Sequence, residues 1–84
     1  MAKLTPAACR AARSLLRWTL RDLGREAGVA FETVHRFENE VTEIRASTAE
    51  KLVAAFDRGG VEITNGTHTG ARLRLDTGDD DGER

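Results

Sequence analysis

Eighty-four residues with a formal net charge of −1 and 39% hydrophobic content suit one domain built around one small core, and are too few for a second. The single cysteine, Cys9, excludes an internal disulfide, and the absence of a charged-then-apolar leader or a long apolar run predicts a cytoplasmic protein with no membrane span. The near-neutral total conceals segregation: residues 1–25 carry +5, 26–62 carry −4, 63–75 carry +2 and 76–84 carry −4.

Thr5-Pro6 pairs a capping hydroxyl with the residue most favoured at the first helical position, which predicts a helix from Pro6 to about Leu16. Ala8, Ala12, Leu15 and Leu16 form its apolar side, with Arg10, Arg13 and Arg17 on the opposite or flanking face. Thr19 offers a second cap with Asp22 as its reciprocal acceptor, and a helix over about 20–27 follows, with Leu23 and Ala27 on one face. Gly28 can take the positive backbone dihedral that ends a helix cheaply, and Val29 can then fold back onto the apolar face. Val34 and Phe37 share the i, i+3 face of a third helix over about 31–38, and Gly24 is small enough to let two helix backbones approach. Two short helices around a tight turn describe a helix-turn-helix unit, whose second helix can enter a DNA major groove.

Further along, Ser47-Thr48-Ala49-Glu50 reads as a capping box opening a fourth helix with Leu52, Val53 and Phe56 as its stripe, ending at Gly59-Gly60. The period then changes from helical to alternating. Val61 and Ile63 alternate with Glu62 and Thr64, Asn65-Gly66 opens a turn, and Leu73 and Leu75 alternate with Arg72 and Arg74, which predicts a β-hairpin. A lone hairpin is marginal in water, so it must pack on the helices or on a second subunit. Its unpaired edges make Val61, Ile63, Leu73 and Leu75 the candidate dimer element. Residues 76–84 are rich in Gly and Asp and read as an acidic disordered tail. The fold class is mainly α: four to five short helices at 1–60 with a helix-turn-helix, a hairpin at 61–75, and the tail.

The opening Leu4-Thr5-Pro6-Ala7-Ala8-Cys9-Arg10-Ala11-Ala12-Arg13, Trp18, the Leu20 to Val29 turn, Arg36-Phe37-Glu38 and Gly60-Val61-Glu62 fall in order, and together they resemble the Xre/Cro repressor family of bacterial and phage helix-turn-helix proteins. The resemblance covers roughly residues 4–75 and implies a lambda-repressor-like bundle plus hairpin. It implies a structural ion pair between Arg13 and Glu38. It also places Leu20, Phe31, Glu32, Thr33, His35 and Arg36 toward DNA, and Asn39 where a polar residue reaches a phosphate. The function it implies is sequence-specific binding of double-stranded DNA by a dimeric, nucleoid-associated transcriptional regulator.

Within that expectation, Arg36 suits a guanine edge, Thr33 and Phe31 suit a thymine methyl, and Glu32 and His35 sit at the edge of the base readout. Thr19, Arg21, Arg25 and Asn39 are the expected phosphate contacts. The departures define the rival. Leu20 stands where the family often has a phosphate-binding Gln, Ala30 leaves the third helix uncapped, and Glu32, Glu40 and Glu43 oppose phosphate. These features suit a protein-interaction adaptor or an antitoxin-like module with weak DNA binding. No phosphate loop, paired carboxylates or nucleophile and base are visible, so no enzyme and no cofactor is expected. His35 and His68 lie far apart without a ligand-spaced neighbour, so no metal is expected either. Cys9 reads as an inert buried thiol and Trp18 as packing at a helix junction.

Overall fold

A computed structural model describes residues 4–64 and 69–74. The expected Asn65-Gly66 turn, His68, Leu75 and the 76–84 tail lie outside the described residues.

The elements run α1 (Pro6–Leu16), α2 (Leu20–Ala27), α3 (Phe31–Glu38), α4 (Ala46–Arg58), β1 (Val61–Thr64) and β2 (Gly70–Leu73). The helix starts at α1 and α2 follow their local code. Thr5 Oγ1 accepts from the Ala8 amide at 3.1 Å with Pro6 at the first position, and Thr19 and Asp22 close a reciprocal box, at 3.0 Å and 2.9 Å. Each of α1, α2 and α3 ends in a left-handed residue, Arg17 (φ 58°), Gly28 (φ 71°) and Glu40 (φ 60°). The amide that follows each one, at Trp18, Val29 and Val41, reaches back to the carbonyl of Arg13, Gly24 or Arg36 at 2.9 Å. This six-to-one closure satisfies carbonyls that a helix end leaves orphaned.

Two expectations need correction. Helix α4 begins at Ala46 after Arg45, with no side-chain cap, so Ser47 to Glu50 already lie within the helix and do not form the capping box. On α1, Leu15 is 42% exposed and Cys9 takes its place inside. The inward stripe steps by four through Ala8, Ala12 and Leu16 and takes in Cys9 beside Ala8, which leaves Leu15 at its margin.

The core lies where α1, α4 and the hairpin converge on the α2–α3 pair. Phe56, Leu23, Leu52, Val34, Val61 and Cys9 are its largest fully buried side chains. Trp18 stacks on Phe56 with ring centroids 6.1 Å apart, tying the α1–α2 junction to α4. β1 and β2 pair antiparallel in the register Val61 with Leu73, Glu62 with Arg72, Ile63 with Ala71 and Thr64 with Gly70. β1 lies against α4 and both strands against α1. Arg74 latches the hairpin's end to α4, donating from Nη1 to Asp57 Oδ1 and from Nη2 to the Asp57 carbonyl, both at 2.7 Å. The hairpin is thus held by its own helices.

Candidate nucleic-acid interface

The geometry of the α2–α3 pair begins at Gly24. A Cβ added there would sit 2.6 Å from the Val29 carbonyl oxygen and 3.3 Å from the Phe31 amide nitrogen, so only glycine lets the start of α3 cross this close to α2. Gly28 to Ala30 then carry the chain from one helix into the other.

α3 has two unlike faces. Inward, Val34 and Phe37 are buried, and Glu38 is 4% exposed. A buried carboxylate needs a counter-charge and donors. Arg13 supplies them in a forked pair, Nε to Oε2 at 2.8 Å and Nη2 to Oε1 at 2.7 Å, while its Nη1 donates to the Trp18 carbonyl at 3.1 Å. Arg10 Nη1 donates to the Glu38 carbonyl. The Arg13–Glu38 pair therefore ties α1, the α1–α2 turn and the end of α3 together. The hydrogen bond to Glu38 holds the Arg13 guanidinium above its ordinary pKa. Burial, and then the neighbouring Glu38, push the Cys9 thiol far above the ordinary thiol range, so it stays protonated and unreactive.

Outward, Glu32, His35, Arg36 and Asn39 are exposed, and Phe31 and Thr33 are half-buried. Among the described residues, no ion pair or hydrogen bond engages the side chain of Glu32, His35 or Arg36. Asn39 is partly committed: its Nδ2 donates to the His35 carbonyl at 2.8 Å, finishing the helix. Leu20 is half-buried and packs against the core, so it presents little to a ligand.

The start of α3 is open. Ala30 is extended and makes no side-chain cap, so the first amides of the helix find no side-chain acceptor there. A shallow cleft at this end is lined by Arg21, Gly24, Arg25, Gly28, Val29, Ala30 and Phe31. The Arg21 guanidinium lies 4.0 Å above the Phe31 ring. Stacking engages the face of the guanidinium and leaves its in-plane N–H donors free. Arg25 Nη2 meets Asp22 Oδ1 at 2.8 Å, with the arginine side chain 68% exposed. Such a surface pair is weak, so an anion can take the arginine over. The Thr19 amide and then Arg25 hold the Asp22 carboxyl below its usual range. Free helix amides flanked by two arginines can hold a phosphate-sized anion.

Sequence reasoning did not find the Arg21–Phe31 stack or the contact from Arg10 to the Glu38 carbonyl. Neither pair has a helical spacing that would expose it. Thr19, Arg21, Arg25, Phe31 and the outer residues of α3 fall on contiguous elements, whereas the candidate dimer residues divide. Val61 and Ile63 are buried in the protomer's own core, Leu73 is 45% exposed, and Leu75 is outside the described residues. Among the described residues no group of three or more His, Cys, Asp or Glu side chains could hold a metal ion, and no helix is long and apolar enough to cross a membrane.

A family model described as helix-turn-helix matches residues 10–63, a span that includes all four helices but the first turn of α1 and closes on β1. No curated protein matches the chain.

Proposed function

The chain belongs to the Xre/Cro-type helix-turn-helix family of DNA-binding regulators, and from that premise we propose that it reads a specific double-stranded sequence with α3 in the major groove, as a homodimer. One observation carries the reading: α3 is clamped along its inner face by Val34, Phe37 and the Arg13–Glu38 fork, while Arg36, His35 and Glu32 point outward with no intramolecular partner among the described residues. A rigid helix with an unsatisfied guanidinium on its outer face is the geometry a base edge requires. Arg36 takes a guanine edge, Thr33 and the exposed part of Phe31 meet a thymine methyl, and Glu32 and His35 border the readout.

Phosphates are held at the open end of the helix. Arg21, aligned by its stack on Phe31, and Arg25, exchanging Asp22 for a phosphate, flank the free first amides of α3. Thr19 and Asn39 border the same strand of the backbone. With a net charge of −1 and few cations on this face, one protomer neutralises too few phosphates to bind tightly. Two protomers on half-sites about one helical turn apart supply the missing affinity. With Val61 and Ile63 occupied internally, the hairpin contributes to such a dimer through Leu73 and its strand edge. The protein acts in transcriptional regulation in the cytoplasm, on the nucleoid.

Selection from a randomised duplex library tests this reading. The expected outcome is enrichment of a two-half-site motif, with Arg36→Ala relaxing the preference at one symmetric pair of positions. Recovery of unenriched DNA would overturn it.

A further inference from the structure

One concavity of the described residues involves none of the groups assigned to DNA. It is a groove of about 1390 Å³ between the N-terminus of α1, the α3–α4 loop, α4 and β1. That exceeds the roughly 300–1,000 Å³ typical of small-molecule pockets, which points to a polypeptide occupant. Its floor is apolar: Leu4, Phe37, Val61 and Ile63 lie deepest, with Ile44 and Val53 half-buried above them. Val41, 67% exposed, stands at the lip.

The rim is of one sign. Among the described residues, Glu40, Glu43, Glu50, Asp57 and Glu62 line the groove, and no Lys, Arg or His does. Asp57 and Glu62 are answered by Arg74 and Arg72. Among the described residues no ion pair reaches Glu40, Glu43 or Glu50.

Glu40 is also placed against its own local interest. It occupies the left-handed region at φ 60°, where glycine or asparagine is the ordinary choice. It also sets a negative charge just past the C-terminus of α3, the negative end of the helix dipole. Backbone strain and an unfavourable charge at one exposed position mark a side chain kept for something other than the fold.

We propose that this groove seats an amphipathic segment of a partner protein, with apolar side chains on the Phe37–Ile44–Val53 floor and lysines or arginines meeting Glu40, Glu43 and Glu50. An apolar floor alone would leave the occupant open; the unanswered carboxylates select a cationic one. Because none of the DNA-facing residues lines the groove, both partners can be held at once.

The test uses the full chain without DNA, so its outcome is independent of the major-groove reading. The probe is a labelled peptide of two Leu-Lys-Lys-Leu-Leu-Lys-Leu heptads, beside its Lys-to-Glu counterpart and a shuffled version of the same composition. Binding is followed by anisotropy and by amide chemical shifts. Expected are shifts concentrated at Val41, Ile44 and Val53, no binding of the glutamate peptide, and an affinity at least about tenfold lower in the Glu40→Gln, Glu43→Gln, Glu50→Gln triple variant. Val41→Ser, at a side chain outside the core, weakens binding without lowering Tm. Glu40→Gly separates binding from folding: it raises Tm by relieving the left-handed strain yet weakens peptide binding. Equal binding of the shuffled peptide, an unchanged affinity in the triple variant, or shifts centred on the outer face of α3 would each overturn the proposal. So would the same groove shifts on concentrating the protein alone, which would place a second copy there.

Discussion

Helices α2 and α3 have the same length, eight residues each, and are held in opposite ways. α2 carries its own instructions: the Thr19–Asp22 box starts it, Arg25 sits in its last turn, and Gly28 ends it in the left-handed region. α3 has no side-chain cap at Ala30 and ends through Glu40, a poor residue for that conformation. What α3 has instead is tertiary: Val34 and Phe37 in the core, and the Arg13–Glu38 fork across twenty-five positions of sequence. An isolated segment of this length is marginal as a helix in water. α2 is therefore the locally coded prop and α3 the element positioned from outside, which leaves the first turn and outer face of α3 available for a ligand.

The largest test of that contrast removes the inward anchor. Phe37→Ala deletes a buried ring and should cost about 3–5 kcal/mol, a large share of what a domain this size possesses. Thermal melting should show a drop of more than about 12 °C, whereas a small drop would mean that α3 is held elsewhere. Next comes the contact between the two helices. Gly24→Ala forces a methyl against the backbone at Val29 and Phe31, which cannot swing aside, and should cost roughly 1–3 kcal/mol while displacing the start of α3. Denaturant midpoints should record the loss, and DNA affinity should fall more than stability alone explains.

The caps give a smaller and more pointed comparison. Thr19→Ala should cost about 1 kcal/mol, while Ala30→Ser, at an extended position that lacks a cap, should add a few tenths to 1 kcal/mol. If Ala30→Ser destabilised the protein, the first turn of α3 would already be satisfied and the contrast would fail. The smallest effect is electrostatic. Asp22 is held below its usual pKa in the folded state by Thr19 and Arg25, so its contribution is present above the ordinary aspartate range and is lost as pH falls through the lowered folded value. Melts of the wild type and Asp22→Asn should differ slightly at neutral pH and converge below about pH 4. A gap that persisted in acid would assign the difference to something other than the charge.

The same division explains what could be read from the chain in advance. The starts of α1 and α2 and the end of α2 were legible because Thr5-Pro6, Thr19 with Asp22, and Gly28 act within one turn of themselves, whereas α3 was legible only through the i, i+3 spacing of Val34 and Phe37. The start of α4 was not: Ser47 to Glu50 has the spacing of a cap, yet the chain enters helix at Ala46, where packing of Ala49, Leu52 and Phe56 outweighs one hydroxyl. Leu15 was misplaced because a one-residue drift of the apolar stripe is invisible until the stripe has something to pack on. At the face proposed for DNA, the outward direction of Arg36 and His35 follows from the inward spacing of Val34 and Phe37, and was legible. The half-burial of Phe31 beneath Arg21 was not, since residues ten apart meet only once the Gly28 turn sets the angle between helices. The acidic residues Glu40 and Glu43 were visible as departures from a DNA-binding pattern; that they rim a groove with Glu50 needed the fold.

The most direct measurement of the central claim is an anisotropy titration of Arg36→Ala against the selected duplex at near-physiological salt. This exposed arginine has no partner to lose among the described residues, so the variant should melt like the wild type. Affinity for the duplex should fall by about 1–3 kcal/mol, roughly five- to 150-fold per bidentate contact. Wild-type affinity in the folded variant would contradict the claim that the outer face of α3 reads the sequence.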